Sequence, residues 1–197
     1  MLLLNSLEDK RIYELLKKGA VGILPTDTVY GVVCVASNPE AVAKLYLLKQ
    51  RHGEKPGTVI AASVKQLVEL GVTYRYLKAV EQFWPNPISV IIPIHQPLEY
   101  LAQGLSSLPF RVVGDKRLAK LLEQTGPLLT TSANQPGEVP ASDIVDAQQY
   151  FGDRVDFYVN GGNLSDRQAS TIIRVVDDAI ELIRVGAVKI DESGKIS

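Results

Sequence analysis

The chain has little of what most metal and redox sites need. Cys34 is the only cysteine among 197 residues, which excludes an internal disulfide and a cysteine-based zinc site. The two histidines, His52 and His95, stand far apart and outside any HExxH or CxxC pattern, so no protein metal site is expected. Charge of one sign is lacking too: 21 Lys and Arg face 22 Asp and Glu, a formal net charge of -1. A protein that coats nucleic acid through charge alone needs a basic excess, so at most a weak, salt-dependent RNA contact is expected. No apolar run approaches the roughly 20 residues of a membrane span. Met1-Leu2-Leu3-Leu4 is too short for a signal sequence and runs into Glu8-Asp9-Lys10-Arg11, so a cytoplasmic protein without membrane contact is expected. The GxxxxGKS/T phosphate loop, the GxGxxG fingerprint and the GxSxG elbow are all missing. Any nucleotide is therefore held by another device.

What is there reads as an ordinary globular chain, 46% hydrophobic and 22% charged. Ser6 is the expected cap of a first helix that Gly19 stops, and Asn38-Pro39 opens a second. Apolar runs at Ala20–Leu24, Val32–Ala36, Thr58–Ala62, Ile88–Ile94, Phe110–Val113, Leu128–Thr130 and Val155–Val159 read as strands. Helices are expected from Ser63, from Tyr76 to Phe83, from about Asp115 to Gln124 and near Asp143 to Tyr150. Ser170–Val175 and Ala179–Arg184 read as a hairpin turned at Asp177-Asp178. Strands and helices alternate without linker or repeat. The expectation is one α/β domain over residues 1–197, with a mixed parallel and antiparallel sheet and its core at about residues 5–188.

Polar residues gather at strand ends, where the loops of an open α/β sheet converge on a crevice. Thr26, Asp27, Thr28 and Tyr30 form one cluster, which can equally be a turn satisfying its own backbone. Lys49, Arg51 and Lys55, with Lys44 one turn earlier, form a second. They suit either a solvated helix end or a polyphosphate clamp. Thr130-Thr131-Ser132-Ala133-Asn134 follows an apolar strand and offers hydroxyl and amide groups to a turn or a ligand. Arg111 lies inside the apolar stretch Leu108–Val113, and a buried Arg wants an anion: a ligand, or an internal partner such as Asp115.

Together these pieces resemble the YrdC/TsaC family of threonylcarbamoyl-adenylate synthases, from Gly22 to about Gly186. Pro25-Thr26-Asp27-Thr28-Val29-Tyr30-Gly31 looks like its opening motif, Lys49-Gln50-Arg51 its KxR and Ser132-Ala133-Asn134 its SxN. Ser170-Thr171-Ile172 and Arg184-Val185-Gly186 match its closing strands. The resemblance implies a YrdC-like fold, a twisted mixed sheet around a large basic cavity. It implies that L-threonine, bicarbonate or CO2, and ATP are joined into threonylcarbamoyl-adenylate with release of pyrophosphate. The product would serve modification of adenosine 37 in tRNA, passed on to downstream threonylcarbamoyl-transfer proteins. By position, Lys49 and Arg51 would hold the ATP phosphates and carry catalysis. Ser107, Ser132, Asn134 and Arg184 would contact the nucleotide, with Mg²⁺ held mainly by its phosphates. Thr26, Arg111 and Ser170 would hold threonine, Arg111 on its carboxylate. Thr58 and Thr130 would line the same pocket, chiefly through backbone. Departures include His52 where the family usually has proline and Gly57 where leucine is common. The extra C-terminal domain of longer relatives is not expected here. Competing readings are a carbamoyl-handling enzyme of the same fold, an RNA- or ribosome-binding module, and a relative that has lost catalysis.

Overall fold

A computed structural model describes residues 2–50, 55–177, 179–191 and 194–196 of the chain. Among them, the strands are β1 (Leu2–Leu4), β2 (Gly22–Pro25), β3 (Tyr30–Val35), β4 (Thr58–Ala61), β5 (Ile88–Pro93), β6 (Ser107–Val112), β7 (Leu128–Ser132), β8 (Phe157–Val159), β9 (Thr171–Val176) and β10 (Ala179–Arg184). The helices are α1 (Lys10–Lys17), α2 (Pro39–Leu48), α3 (Val64–Leu70), α4 (Tyr74–Val80), α5 (Lys116–Thr125) and α6 (Ile144–Phe151). All ten strands join one mixed sheet in the order β1-β8-β2-β3-β7-β4-β6-β5-β9-β10. Pairs β1–β8, β2–β8, β4–β6 and β5–β9 are parallel and the others antiparallel.

Helices cover both faces, which is why the inner strands read as unbroken apolar runs. Along β3, Val33 and Val35 turn toward the cluster that holds Ile12 and Leu16 of α1 and Leu118 and Leu122 of α5. Val32 and Cys34 turn the other way, toward Val42 and Leu45 of α2, Leu67 of α3, Leu77 of α4 and Phe151 of α6. The face under α1 and α5 decides where the site lies. Val33, Ile60 and Leu128 pack there, and two residues along the same strands Gly31, Thr58 and Thr130 take their place. Period two keeps them on that face while the chain passes from core to cleft.

Two local expectations are corrected. The cap of α1 is Asp9, whose carboxylate accepts from the Arg11 N–H, while the Ser6 hydroxyl accepts from Glu8 in the turn before it. Leu2–Leu4 forms an edge strand paired to β8, although three leucines carry no alternation that would announce one. The hairpin forms as expected, with Asp177 at φ 49°; Asp178 lies outside the described residues.

Candidate active site

Arg111 is 2% exposed, at the centre of a cross-strand network. Its partner is Asp27, not Asp115. Nε donates to Asp27 Oδ2 at 3.2 Å and Nη2 to Oδ1 at 2.7 Å, a fork-on-carboxylate pair. Asp115 instead caps α5, accepting from the backbone N–H groups of Arg117 and Leu118. Nη1 of Arg111 donates to Ser89 Oγ at 3.1 Å, and Nη2 also lies 3.5 Å from Thr28 Oγ1. Ser89 then reaches Ser170 Oγ at 2.9 Å, and Arg184 Nη2 donates to that same Ser170 oxygen at 3.1 Å. Arg184 also holds the Ser170 carbonyl through Nε and Nη2, at 3.1 and 2.7 Å. The two ends of the hairpin thus close on each other. Gly186 lets the chain pass, since a Cβ there would sit 2.3 Å from the Ala169 carbonyl.

The Thr26 cluster is both a turn and part of the site. Thr26 Oγ1 donates to Val29 O at 2.6 Å and accepts from Thr28 N at 3.2 Å, so its hydroxyl is spent inside the turn. Exposed Arg167 donates to the Thr26 carbonyl at 3.1 Å. Tyr30 is fully buried, and its hydroxyl ties the turn to the 160–163 loop through Gly162 O and Gly161 N. Burial raises its pKa above the ordinary phenol value.

Lys49 follows the last turn of α2 and is 3% exposed, which removes the reading of it as a solvated helix end. Its ammonium donates to Ser132 O at 2.9 Å, to Asn134 O, and to Asn134 Oδ1 at 3.1 Å, and lies 5.6 Å from the Phe151 ring centroid. Ser132 Oγ donates to Asn134 Oδ1 at 2.8 Å. Lys49 therefore meets Ser132 and Asn134, more than 80 positions away in sequence, at one turn. Arg51 and His52 lie outside the described residues.

One cleft joins these parts. Thr26, Thr58, Arg111, Thr130 and Ser170 line it, together with Ser132 and Arg184. Ser107 starts β6 on the same face as Arg111 but is not among the lining residues, and neither are Lys49 and Asn134. Within the described residues, Thr130 Oγ1 has no hydrogen-bond partner although Thr130 is 7% exposed. A buried hydroxyl in that state costs about 1–3 kcal/mol, and a ligand in the cleft would relieve it. Gly31 leaves the space beside it: a Cβ there would fall 2.4 Å from Thr130 Oγ1. Cys34 is no nucleophile, since complete burial pushes its thiol up to about 12. Among the described residues no group of three or more His, Cys, Asp or Glu is placed to hold a metal, and no helix is long and apolar enough to cross a membrane.

Asp27 and Ser89 were not assigned roles from sequence. Asp27 is 84 positions from Arg111, and nothing in the spacing joins them. Ser89 did leave a signal, as the lone polar residue in the β-branched run Ile88–Ile92.

Comparison with known proteins bears on most of the chain. The Sua5–YciO–YrdC family, described as telomere recombination, matches residues 14–186. The threonylcarbamoyl-AMP synthase of Vibrio campbellii is 32% identical over 179 residues, covering 84% of this chain and 97% of that protein. That of Marinobacter nauticus is 36% identical over 170 residues, covering 80% and 86%. Among solved structures, P. abyssi Sua5 complexed with L-threonine superposes with a TM-score of 0.85 at 23% identity. That match covers 96% of this chain and 59% of the longer one, and at this identity it speaks for the fold alone. The family match over nearly the full length and the two relatives above 30% identity agree, and the chain belongs to the Sua5–YciO–YrdC family.

Proposed function

We propose that the chain is a threonylcarbamoyl-AMP synthase, joining L-threonine, bicarbonate or CO2, and ATP with release of pyrophosphate. The observation that carries this reading is the cleft. Thr26, Thr58, Arg111, Thr130 and Ser170, all assigned to threonine by the family resemblance, come from separate segments and line one concavity. The likeness to curated synthases above 30% identity supplies the reaction class.

In this reading Arg111 keeps Asp27 on Nε and Nη2 and Ser89 on one N–H of Nη1, and offers its remaining N–H groups, one of them now near Thr28 Oγ1, to the threonine carboxylate. Thr130 contributes its unpartnered hydroxyl as well as backbone. Ser132, Asn134 and Arg184, with Ser107 at the start of β6, are assigned to the nucleotide, and Arg51 and Lys49 to its phosphates, Lys49 through the Ser132–Asn134 turn that it holds. The carbamate oxygen of the amino acid attacks the α-phosphorus, forming the new P–O bond as the bond to pyrophosphate breaks. Alignment and charge neutralisation are what such a displacement needs from the protein. Mg²⁺ belongs to the substrate here, carried on the triphosphate. The chain works as one domain in the cytoplasm, and its labile product passes to proteins that transfer the threonylcarbamoyl group to tRNA.

The test is direct. Purified protein with ATP, bicarbonate and threonine should yield pyrophosphate and threonylcarbamoyl-adenylate, read by mass spectrometry. Release should require threonine and bicarbonate together. Equal release without threonine, or with carbamoyl phosphate in place of both, would overturn the reading in favour of a carbamoyl-handling enzyme.

A further inference from the structure

We infer that Ser89 is a positioning residue of the synthase reaction, fixing the proton of Ser170 so that Ser170 donates to an anionic oxygen of the bound amino acid. The inference rests on the proposed function and adds a residue that no motif includes. Ser89 is completely buried in β5, on the same face of the sheet as Arg111. It does not line the cleft, whereas Ser170 does.

The direction of the hydrogen bonds follows by counting protons. A hydroxyl has one proton and two lone pairs. Ser89 Oγ accepts from Arg111 Nη1, a group that only donates. Ser170 Oγ accepts from Arg184 Nη2, which is likewise donor only. One of the two serines must donate to the other across their 2.9 Å contact. If Ser170 gave its proton to Ser89, the Ser89 proton would be left in a site with no exposure and, among the described residues, no further acceptor. That is a buried orphan donor, which folded proteins avoid. If Ser89 donates, both lone pairs of Ser170 are filled, by Ser89 and by Arg184. Its own proton is then the one group left over, and the open side of Ser170 is the cleft. The guanidinium upstream polarises the chain, since each hydrogen bond strengthens the next. Ser170 therefore meets the ligand as a donor and not as an acceptor. That matches a carboxylate or carbamate oxygen and rejects an ammonium group.

The experiment uses Ser89→Ala and the nearly isosteric Ser89→Cys, so that a packing defect in one is separated from loss of the hydrogen bond in both. Melting curves and calorimetric affinity for a nonhydrolysable ATP analogue accompany steady-state kinetics. The KM for threonine is expected to rise by about tenfold in both variants. The KM for ATP and kcat should stay within about twofold of the starting enzyme, well below the tenfold step of about 1.4 kcal/mol. In a Ser170→Ala background, Ser89→Ala should add almost nothing to the threonine KM, because the proton it aims is gone. An effect that persists in that background, one that strikes both substrates alike, or an unchanged threonine KM in folded variants would overturn the inference alone. A starting enzyme that makes no adenylate would overturn the functional reading and this inference with it.

Discussion

Arg111 and Lys49 are both buried cations in a chain whose charged residues are otherwise mostly at the surface, yet they are held in opposite ways. Arg111 projects from the middle of β6 and takes partners from the 26–29 turn and from β5, so it ties separate strands together. Lys49 follows the last turn of α2, and it donates to oxygens of Ser132 and Asn134, which belong to a single turn. The difference follows from the side chains. A planar fork with five donors can serve a carboxylate and two hydroxyls at once, whereas an ammonium on a flexible stem gathers oxygens around a point. It also separates their distances from substrate. Arg111 forms part of the cleft wall, and Lys49 acts on the wall through Ser132.

The largest effect that would test this contrast comes from Arg111→Lys. It keeps the charge but loses the fork, so Asp27 and Ser89 cannot both be served. Each charge-assisted bond lost with the fork costs about 1.5–3 kcal/mol, and with two or more lost threonine affinity is expected to fall by at least a hundredfold. Affinity for a nonhydrolysable ATP analogue should stay within about threefold, less than 1 kcal/mol. Calorimetric titration beside a melting curve checks it. Equal loss of both ligands would mean that Arg111 serves only Asp27 and the fold.

Lys49→Met should give a smaller effect of the opposite pattern. The side chain still fills its space, but the carbonyls of Ser132 and Asn134 lose a charged donor, at about 1.5–3 kcal/mol for such a bond. The turn that carries Ser132 loosens, so nucleotide affinity is expected to fall by about 10- to 100-fold while threonine affinity changes little. The same titrations read it, and a threonine loss exceeding the nucleotide loss would break the contrast.

These two residues also mark how far the sequence could be read. Arg111 stood out because a charge inside an apolar strand is rare, and its burial needed no structure to foresee. Its partner did not stand out. Asp115 was near in sequence and Asp27 was not, but strand order in the sheet, not sequence separation, decides which segments meet. Asp115 meanwhile answers a purely local demand, the free N–H groups at the start of α5. The alternating strands and helices were readable because each inner strand is an apolar run bounded by polar turns. The β1 strand was not, since its identity comes only from the β8 edge it joins. Ser89 was hidden for the same reason that it matters: one hydroxyl in a core strand looks like a tolerated exception until its two partners are seen.

The smallest effect is also the most selective. Gly31 lies in β3, paired with Ser132 of β7, and it borders the cleft between the two halves of the site. Gly31→Ala adds one methyl group, which would meet Thr130 Oγ1 at 2.4 Å and Thr26 Cγ2 at 3.1 Å. The nearer atom is the tip of a side chain, so Thr130 can yield by turning its hydroxyl away. The backbone of β3 need not move. The fold should therefore hold, with overpacking of about 1 kcal/mol at the low end of what an inserted methyl costs. Threonine affinity should drop by roughly fivefold, since the hydroxyl that has no partner among the described residues is the one displaced. Nucleotide affinity should not change, because the three atoms nearest the added carbon belong to Thr130, Thr26 and Thr131 and not to Lys49, Ser132 or Asn134. Adding Thr130→Val to Gly31→Ala then gives the decisive reading: with no hydroxyl left to displace, the two changes together should cost threonine no more than the larger of them alone. Full additivity would mean that the methyl acts by narrowing the cleft and that the Thr130 hydroxyl takes no part in holding the substrate.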